Sequence, residues 1–174
     1  MAISTDTFPS PFYKGYWKGS LDFVKDVRKI TITAMLFALM LVSKLLVLPS
    51  GFANLGLSFG FIFFSLITAL FGPIAGLVIG FFSDTIGFFL FDTSGTGFFI
   101  GYVIQAMFTG FIYGLFLYKS KITFPRILLM RLIIGIFSNV IIGGISWGIV
   151  AGYNMTQTLY YMLLFSLPKN LIYL

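Results

Sequence analysis

Apolar positions in this chain gather in long blocks, each separated from the next by a brief polar, glycine- or proline-containing break. A helix needs a block of about 20 residues to cross the hydrocarbon layer of a bilayer. The blocks predict spans over 30–48, 57–70, 74–91, 98–118 and 127–150, and a sixth from Gln157 to Leu174. The breaks have the chemistry of helix ends: Pro49, Ser50 and Gly51, then Phe71, Gly72 and Pro73, then the polar run from Asp92 to Gly97. Proline withholds a backbone donor and glycine accepts turn geometries. Lys119, Ser120, Lys121, Thr123 and Pro125 separate the fourth block from the fifth, and 151–156 the fifth from the sixth. The expected fold is all-α and integral to the membrane, a six-transmembrane-helix bundle. Residues 30–174 form its single membrane domain, and residues 1–29 form a basic cytoplasmic segment.

Composition agrees with lipid as the solvent. With 59% hydrophobic and 9% charged residues and a mean hydropathy of +1.03, the chain has too little polar surface to coat a soluble globule. Cysteine, histidine and glutamate are all absent, which removes thiolate chemistry, disulfides and the usual zinc ligand sets. The net charge of +6 is informative through its placement. Lys14, Lys18, Lys25, Arg28 and Lys29 precede the first span, and Lys119, Lys121 and Arg126 join the fourth to the fifth. Links 49–56, 92–97 and 151–156 carry no Lys or Arg. Six crossings with cytoplasmic N- and C-termini satisfy the positive-inside rule, so the basic charge reads as orientation and not as a nucleic-acid site. No small-residue cleavage site follows the first block, and the first helix is expected to stay.

A charge inside a span costs about 2.5–3.5 kcal/mol at the helix centre on insertion scales, so each one asks for a reason. Lys44 lies in the outer third of the first span, Asp84 in the outer half of the third, and Lys169 in the middle or inner half of the sixth. Lys44 either snorkels to the outer interface or meets a ligand. Asp84 is too short to snorkel, leaving an internal pair with Lys44 or a hydroxyl, or a ligand role. Lys169 and Asn170 follow Pro168, where a kink frees backbone carbonyls that they could satisfy in place of a ligand. Tyr102 and Gln105 begin the fourth helix at its outer end, and Asn54 sits in the first outer loop. Phe52, Phe98, Phe99 and Trp147 lie near the outer side and could stack on a flat ring, although an interfacial aromatic belt explains the same placement.

A membrane enzyme would need paired acids or a nucleophile and base. Asp84 has no second intramembrane carboxylate near it in sequence, and Asp92 falls in a loop. No Gly-x-x-x-x-Gly-Lys-Ser/Thr loop is present, so this chain cannot hydrolyse ATP by a P-loop mechanism.

Small residues recur at four-residue spacing: Ala34 and Ala38 on the first span, Gly72, Gly76 and Gly80 along the third, Gly110 and Gly114 on the fourth. Such spacing lets helix backbones approach closely, within a bundle or toward a partner. The run Arg28-Lys-Ile-Thr-Ile-Thr-Ala34-Met-Leu-Phe-Ala38, then Ser58-Phe-Gly-Phe61, Leu70-Phe-Gly-Pro73 leading to Asp84, Phe111-Ile-Tyr-Gly-Leu-Phe-Leu-Tyr118 and Leu167-Pro-Lys-Asn-Leu-Ile172 resembles the S components of energy-coupling factor (ECF) transporters, closest to the folate family, FolT. The segments Asp92-Thr-Ser-Gly95 and Phe99-Ile-Gly-Tyr102 depart from that family's proline-containing pattern.

The resemblance implies a non-enzymatic, multi-pass subunit of the bacterial cell membrane that captures a vitamin at the outer face. It also implies a coupling subunit and two ATPases as partners, with ATP used by those partners and no cofactor held by this chain. Ala34 and Ala38 match the family's contact with the coupling subunit. For a folate, Asp84 would accept two parallel hydrogen bonds from the amino-pyrimidine edge of the pterin, and a lysine would meet the glutamyl carboxylate. Hydroxymethylpyrimidine, pyridoxine, thiamine, riboflavin and pantothenate stand as alternative cargoes, and a membrane scaffold as an alternative role.

Overall fold

The computed structural model describes residues 14–45, 47–50, 55–91, 97–121 and 123–166. A short helix α1 (Lys14–Leu21) precedes α2 (Val27–Leu45). A hairpin of β1 (Val47–Ser50) and β2 (Leu55–Ser58) leads into α3 (Gly60–Phe71), followed by α4 (Pro73–Phe91) and α5 (Ile100–Leu117). The next run is continuous: α6 (Phe124–Ile133), a π-helical segment (Ile134–Ile142) and α7 (Gly143–Val150). Finally, α8 (Met155–Tyr161) passes into a second π-helical segment, Met162–Ser166.

Each of the six apolar blocks is mainly helical over its described residues, and the described helix ends fall within about three residues of those expected. Pro73–Phe91, Ile100–Leu117 and Phe124–Val150, of 19, 18 and 27 residues, are long and apolar enough to cross a membrane. α2 has the length but carries Arg28, Lys29 and Lys44. α3 has 12 residues and reaches only about 18 Å.

The expected loop over 49–56, with a second span beginning at Leu57, is corrected by the hairpin. Val47 pairs with Ser58 and Ser50 with Leu55, antiparallel, so the chain leaves α2 at Leu45 and enters α3 at Gly60. Short segments such as Val-Leu-Pro-Ser and Leu-Gly-Leu-Ser, each with two apolar residues beside turn formers, can be strand or helix end by pattern alone. Pro49 fits because both strands of a two-stranded hairpin are edges.

The glycine spacing finds its partner inside the bundle. A Cβ added to Gly76 would fall against the Gly110 carbonyl, one on Gly80 against Ala106, and one on Gly114 against Pro73 and Gly72. Gly72, Gly76 and Gly80 thus face Gly114, Gly110 and Ala106 in antiparallel order, and the two backbones meet with almost no side chain between them. Gly72 also has φ 91°, a conformation that lets α3 turn straight into α4.

α1 docks on the end of the bundle where α3 turns into α4 and α5 finishes. The Tyr16 hydroxyl donates to the Gly114 carbonyl at 2.9 Å. Ser20 Oγ donates to the Phe71 carbonyl at 3.4 Å and accepts from the Ile74 N–H at 3.2 Å. Tyr16 and Ser20 are buried, and Phe23 joins Met40, Ile67, Ala75 and Ile79 in one of two apolar cores. Ile112, Tyr113, Met130 and Ile134 form the other. Large side chains such as Val27, Phe89, Leu90 and Ile149 stay exposed, as lipid-facing positions do.

Candidate functional site

The ladder of small residues between α4 and α5 ends one rung above Gly80 and Ala106. Four residues beyond Gly80 is Asp84, and four before Ala106 is Tyr102. Larger side chains there hold the helices apart, and a cavity of about 290 Å³ opens between them, lined by Phe64 of α3, Ser83 and Asp84 of α4, and Tyr102, Gln105, Ala106 and Thr109 of α5. One carboxylate, one phenol, one carboxamide and two aliphatic hydroxyl residues are thereby brought together beside Phe64 and Ala106. This is the composition of small-molecule sites, where a few placed polar groups fix orientation.

Behind the lining, a polar cluster fixes Gln105. Its Nε2 donates to Asn139 Oδ1 at 3.0 Å, and its amide rests on Gly143, where a Cβ would stand 3.0 Å from Oε1. Thr109 and Ser138 hydroxyls bond each other at 2.6 Å, and both reach the Gln105 carbonyl, at 2.9 Å and 3.2 Å. Ser138 and Asn139 belong to the π-helical segment. A widened turn of this kind redirects side chains that a regular helix would point elsewhere, a frequent arrangement beside ligand sites.

Of the sequence-predicted residues, Asp84, Tyr102 and Gln105 are brought to one cavity. Phe99 meets Tyr102 edge-on, with ring centroids 6.0 Å apart. Phe98 instead stacks on Phe89 at 5.9 Å and is exposed. Trp147 tilts against Tyr161 at 6.2 Å and is not among the cavity-lining residues. Lys44 lies in the last turn of α2. Phe52, Asn54, Lys169 and Asn170 lie outside the described residues, as does Asp92. Ala34 and Ala38 are exposed on α2, away from the bundle packing that uses the glycines of α4 and α5.

Sequence reasoning passed over Phe64, Ser83, Thr109 and Ser138 as site residues. The signal for Ser138 was present: a Ser-Asn dipeptide in the middle of an apolar span needs a partner across the bundle. Continuing the four-residue register of the glycines to Asp84 and Tyr102 would have paired those two as well.

Residues 24–173 match the family described as ECF-type riboflavin transporter, S component. The folate transporter FolT of Clostridium novyi (strain NT) is 31% identical over 96 residues, 55% of this chain and 55% of that protein. The matched stretch therefore spans about half the length of that relative. A UPF0397 protein of Staphylococcus aureus is 30% identical over 150 residues, 86% of this chain and 76% of the relative. A crystal structure of FolT bound with folic acid superposes with a TM-score of 0.66 at 29% identity, covering 83% of this chain and 84% of that one. The family and the structural neighbour are membrane transport proteins, not enzymes. With its apolar spans, helical architecture and a family match running from residue 24 to residue 173, the chain belongs to the S components of ECF-type vitamin transporters.

Proposed function

We propose that this chain captures folate, or a reduced folate, at the outer face of a six-span bundle with cytoplasmic N- and C-termini. The observation that carries the reading is the cavity that sets Asp84 beside Tyr102 and Gln105. A carboxylate accepts two parallel hydrogen bonds from the adjacent donors of an amino-pyrimidine edge, and charge assistance strengthens both. Gln105, held by Asn139, offers a donor and an acceptor to the rest of that edge. The volume of about 290 Å³ suits the bicyclic pterin head, leaving the glutamyl tail to run outward toward 92–98 and 49–56. Lys44 and Lys169 are the cations proposed to meet its carboxylates. Phe52, Asn54, Phe98, Phe99, Trp147 and Asn170 complete the proposed contacts, and the likeness to folate-bound FolT supports the choice of ligand.

The bundle would deliver its cargo through a coupling subunit driven by two partner ATPases. Exposure of Ala34 and Ala38 supports α2 as the contact with that subunit, since both stay uncovered among the described residues. Docking of basic α1 at the end that holds the α3–α4 turn and Tyr118 supports a common cytoplasmic side for residues 1–29 and 118–126. The division into that basic segment and a membrane domain over 30–174 is part of the same proposal.

A second reading follows from the family description, which names riboflavin. The isoalloxazine edge carries one N–H between two carbonyl oxygens, so a carboxylate facing it would gain one hydrogen bond and oppose two acceptors. Asp84 therefore favours the pterin. The experiment is mass spectrometry of small molecules released from gently purified protein, followed by calorimetric titration with folate and riboflavin. Nanomolar folate binding with weak riboflavin binding is expected; the opposite order would replace folate with riboflavin, and no binding of either would send the search to other vitamins.

A further inference from the structure

α1 and the turn that follows it present two rows of side chains, one buried against the bundle and one largely exposed apart from the Trp17 ring. Tyr16, Ser20 and Phe23 are buried against the bundle, whereas Trp17, Leu21 and Val24, at the same four- and three-residue spacing, are exposed by 37%, 53% and 57%. The side chains of Lys18 and Lys25 flank this outer stripe and are exposed too. The height of α1 is fixed by its contacts. The Trp17 ring stacks on Phe111 of α5 with centroids 6.2 Å apart, and Tyr16 holds the Gly114 carbonyl. Phe111 is six residues inside the end of α5 at Leu117, a depth of about 9 Å. α1 therefore lies beside the last turns of a spanning helix, at the level where amphipathic helices bury an apolar face about 5–10 Å into the headgroup and acyl boundary.

We propose that α1 is an interfacial helix. Its Trp17–Leu21–Val24 stripe enters the cytoplasmic leaflet, and its lysines hold anionic lipid headgroups. The inference rests on the topology proposed above. Cations from three segments meet at this end. Lys18, Lys25, Arg28 and Lys29 belong to the N-terminal segment; the Lys119 ammonium approaches Gly19, 3.9 Å from where a Cβ would stand; and Arg126 binds the Phe116 carbonyl at 2.7 Å. Asp22 and Asp26 are the acids on the same stretch, and Asp26 is engaged by Lys29 at 3.8 Å. A Trp at the water boundary with flanking lysines is what an anionic surface recruits. A stripe of three side chains is small for a stable protein interface, which takes about 20–30 residues a side; lipid fits it better.

The chain has two tryptophans and no cysteine, so both reporters are clean. In the Trp147→Phe protein Trp17 is the one remaining tryptophan, and red-edge excitation reads it apart from the tyrosines. Full-length protein is placed in vesicles of phosphatidylcholine and phosphatidylglycerol with bromines at graded acyl depths. The expected result is quenching strongest at the shallow positions, and at least twofold stronger with brominated phosphatidylglycerol than with brominated phosphatidylcholine at equal mole fraction. Lys18→Gln with Lys25→Gln should remove the headgroup preference and keep the shallow quenching. Absence of lipid quenching, equal quenching by both lipids, or shielding of Trp17 only when a coupling subunit is added would each overturn the proposal. A Lys121→Cys variant labelled in intact cells reads the topology separately: labelling from outside removes the topological reading, whereas inside labelling without lipid quenching removes only this inference.

Discussion

The carboxamide of Gln105 donates to Asn139 Oδ1 across 3.0 Å, tying a cavity-lining position on α5 to the π-helical segment between α6 and α7. Asn139→Leu takes the acceptor away and frees the amide to rotate. Polar contacts between membrane helices average about 0.6 kcal/mol and reach about 1.7, so folate affinity should fall about threefold to eighteenfold. In a double-mutant cycle, Gln105→Leu and Asn139→Leu should be non-additive by a similar energy; strict additivity in calorimetric titration would show that the two act independently.

Asp84 lies in the cavity with Tyr102 and Gln105. Asp84→Asn keeps the shape, replaces one acceptor with a donor and removes the charge. Folate binding should weaken at least tenfold, about 1.4 kcal/mol, with the thermal unfolding profile unchanged. Unaltered affinity would remove Asp84 from the ligand site.

Ala34 is exposed on α2, so among the described residues the position is open to a large side chain. Ala34→Trp is expected to abolish co-purification with a coupling subunit while ligand titration stays at the parental affinity. Intact co-purification would place the partner on another face.

Gly76 sits against the Gly110 backbone, and no rotamer adjustment can make room between two main chains. Gly76→Val should therefore cost at least the about 1–3 kcal/mol of an overpacked core, read as a lower melting temperature in detergent. The exposed Ala38→Val serves as the control and should melt like the parent.

Burial pushes the Tyr16 phenol well above its ordinary value of 10, with Tyr118 adding to the shift and Arg126 opposing it. The folded state thus holds this proton more tightly than the unfolded chain. The associated stability is fully present below about pH 10 and declines as the pH rises further, because the unfolded phenol ionises first. Tyr16→Phe should be less stable by about 1 kcal/mol at neutral pH through loss of the bond to Gly114, and its stability should decline less steeply in alkali than the parent's.

Much of this was readable before any coordinates. Block length and basic placement gave the helical segments, and the small-residue spacing on α4 and α5 marked faces able to pack closely without telling that they meet each other. Asp84, Tyr102 and Gln105 stood out because polar groups are costly in an apolar span. The hairpin was hidden because Leu55–Ser58 is apolar and merged into the block behind it. α1 was hidden because its buried stripe of Tyr16, Ser20 and Phe23 is written into a lysine-rich segment that reads as a solvated tail. Ser138 and Asn139 needed the π-helical register, since a regular 3.6-residue period aims them differently.

The contact of α4 with α5 through Gly76, Gly80, Ala106 and Gly110 has a mechanical consequence. Two helices touching at their main chains have no compressible layer between them and act as a single stiff beam. The cavity is a notch cut into the end of that beam: Asp84, Tyr102 and Gln105 stand on immovable walls, and Phe64 of α3 forms the third. Shape selection is then a property of the beam, as in a mould, whereas the speed of entry belongs to the α3 side, lined by Phe64. Substitution of Phe64 should thus alter association rates while leaving the ranking of ligands intact.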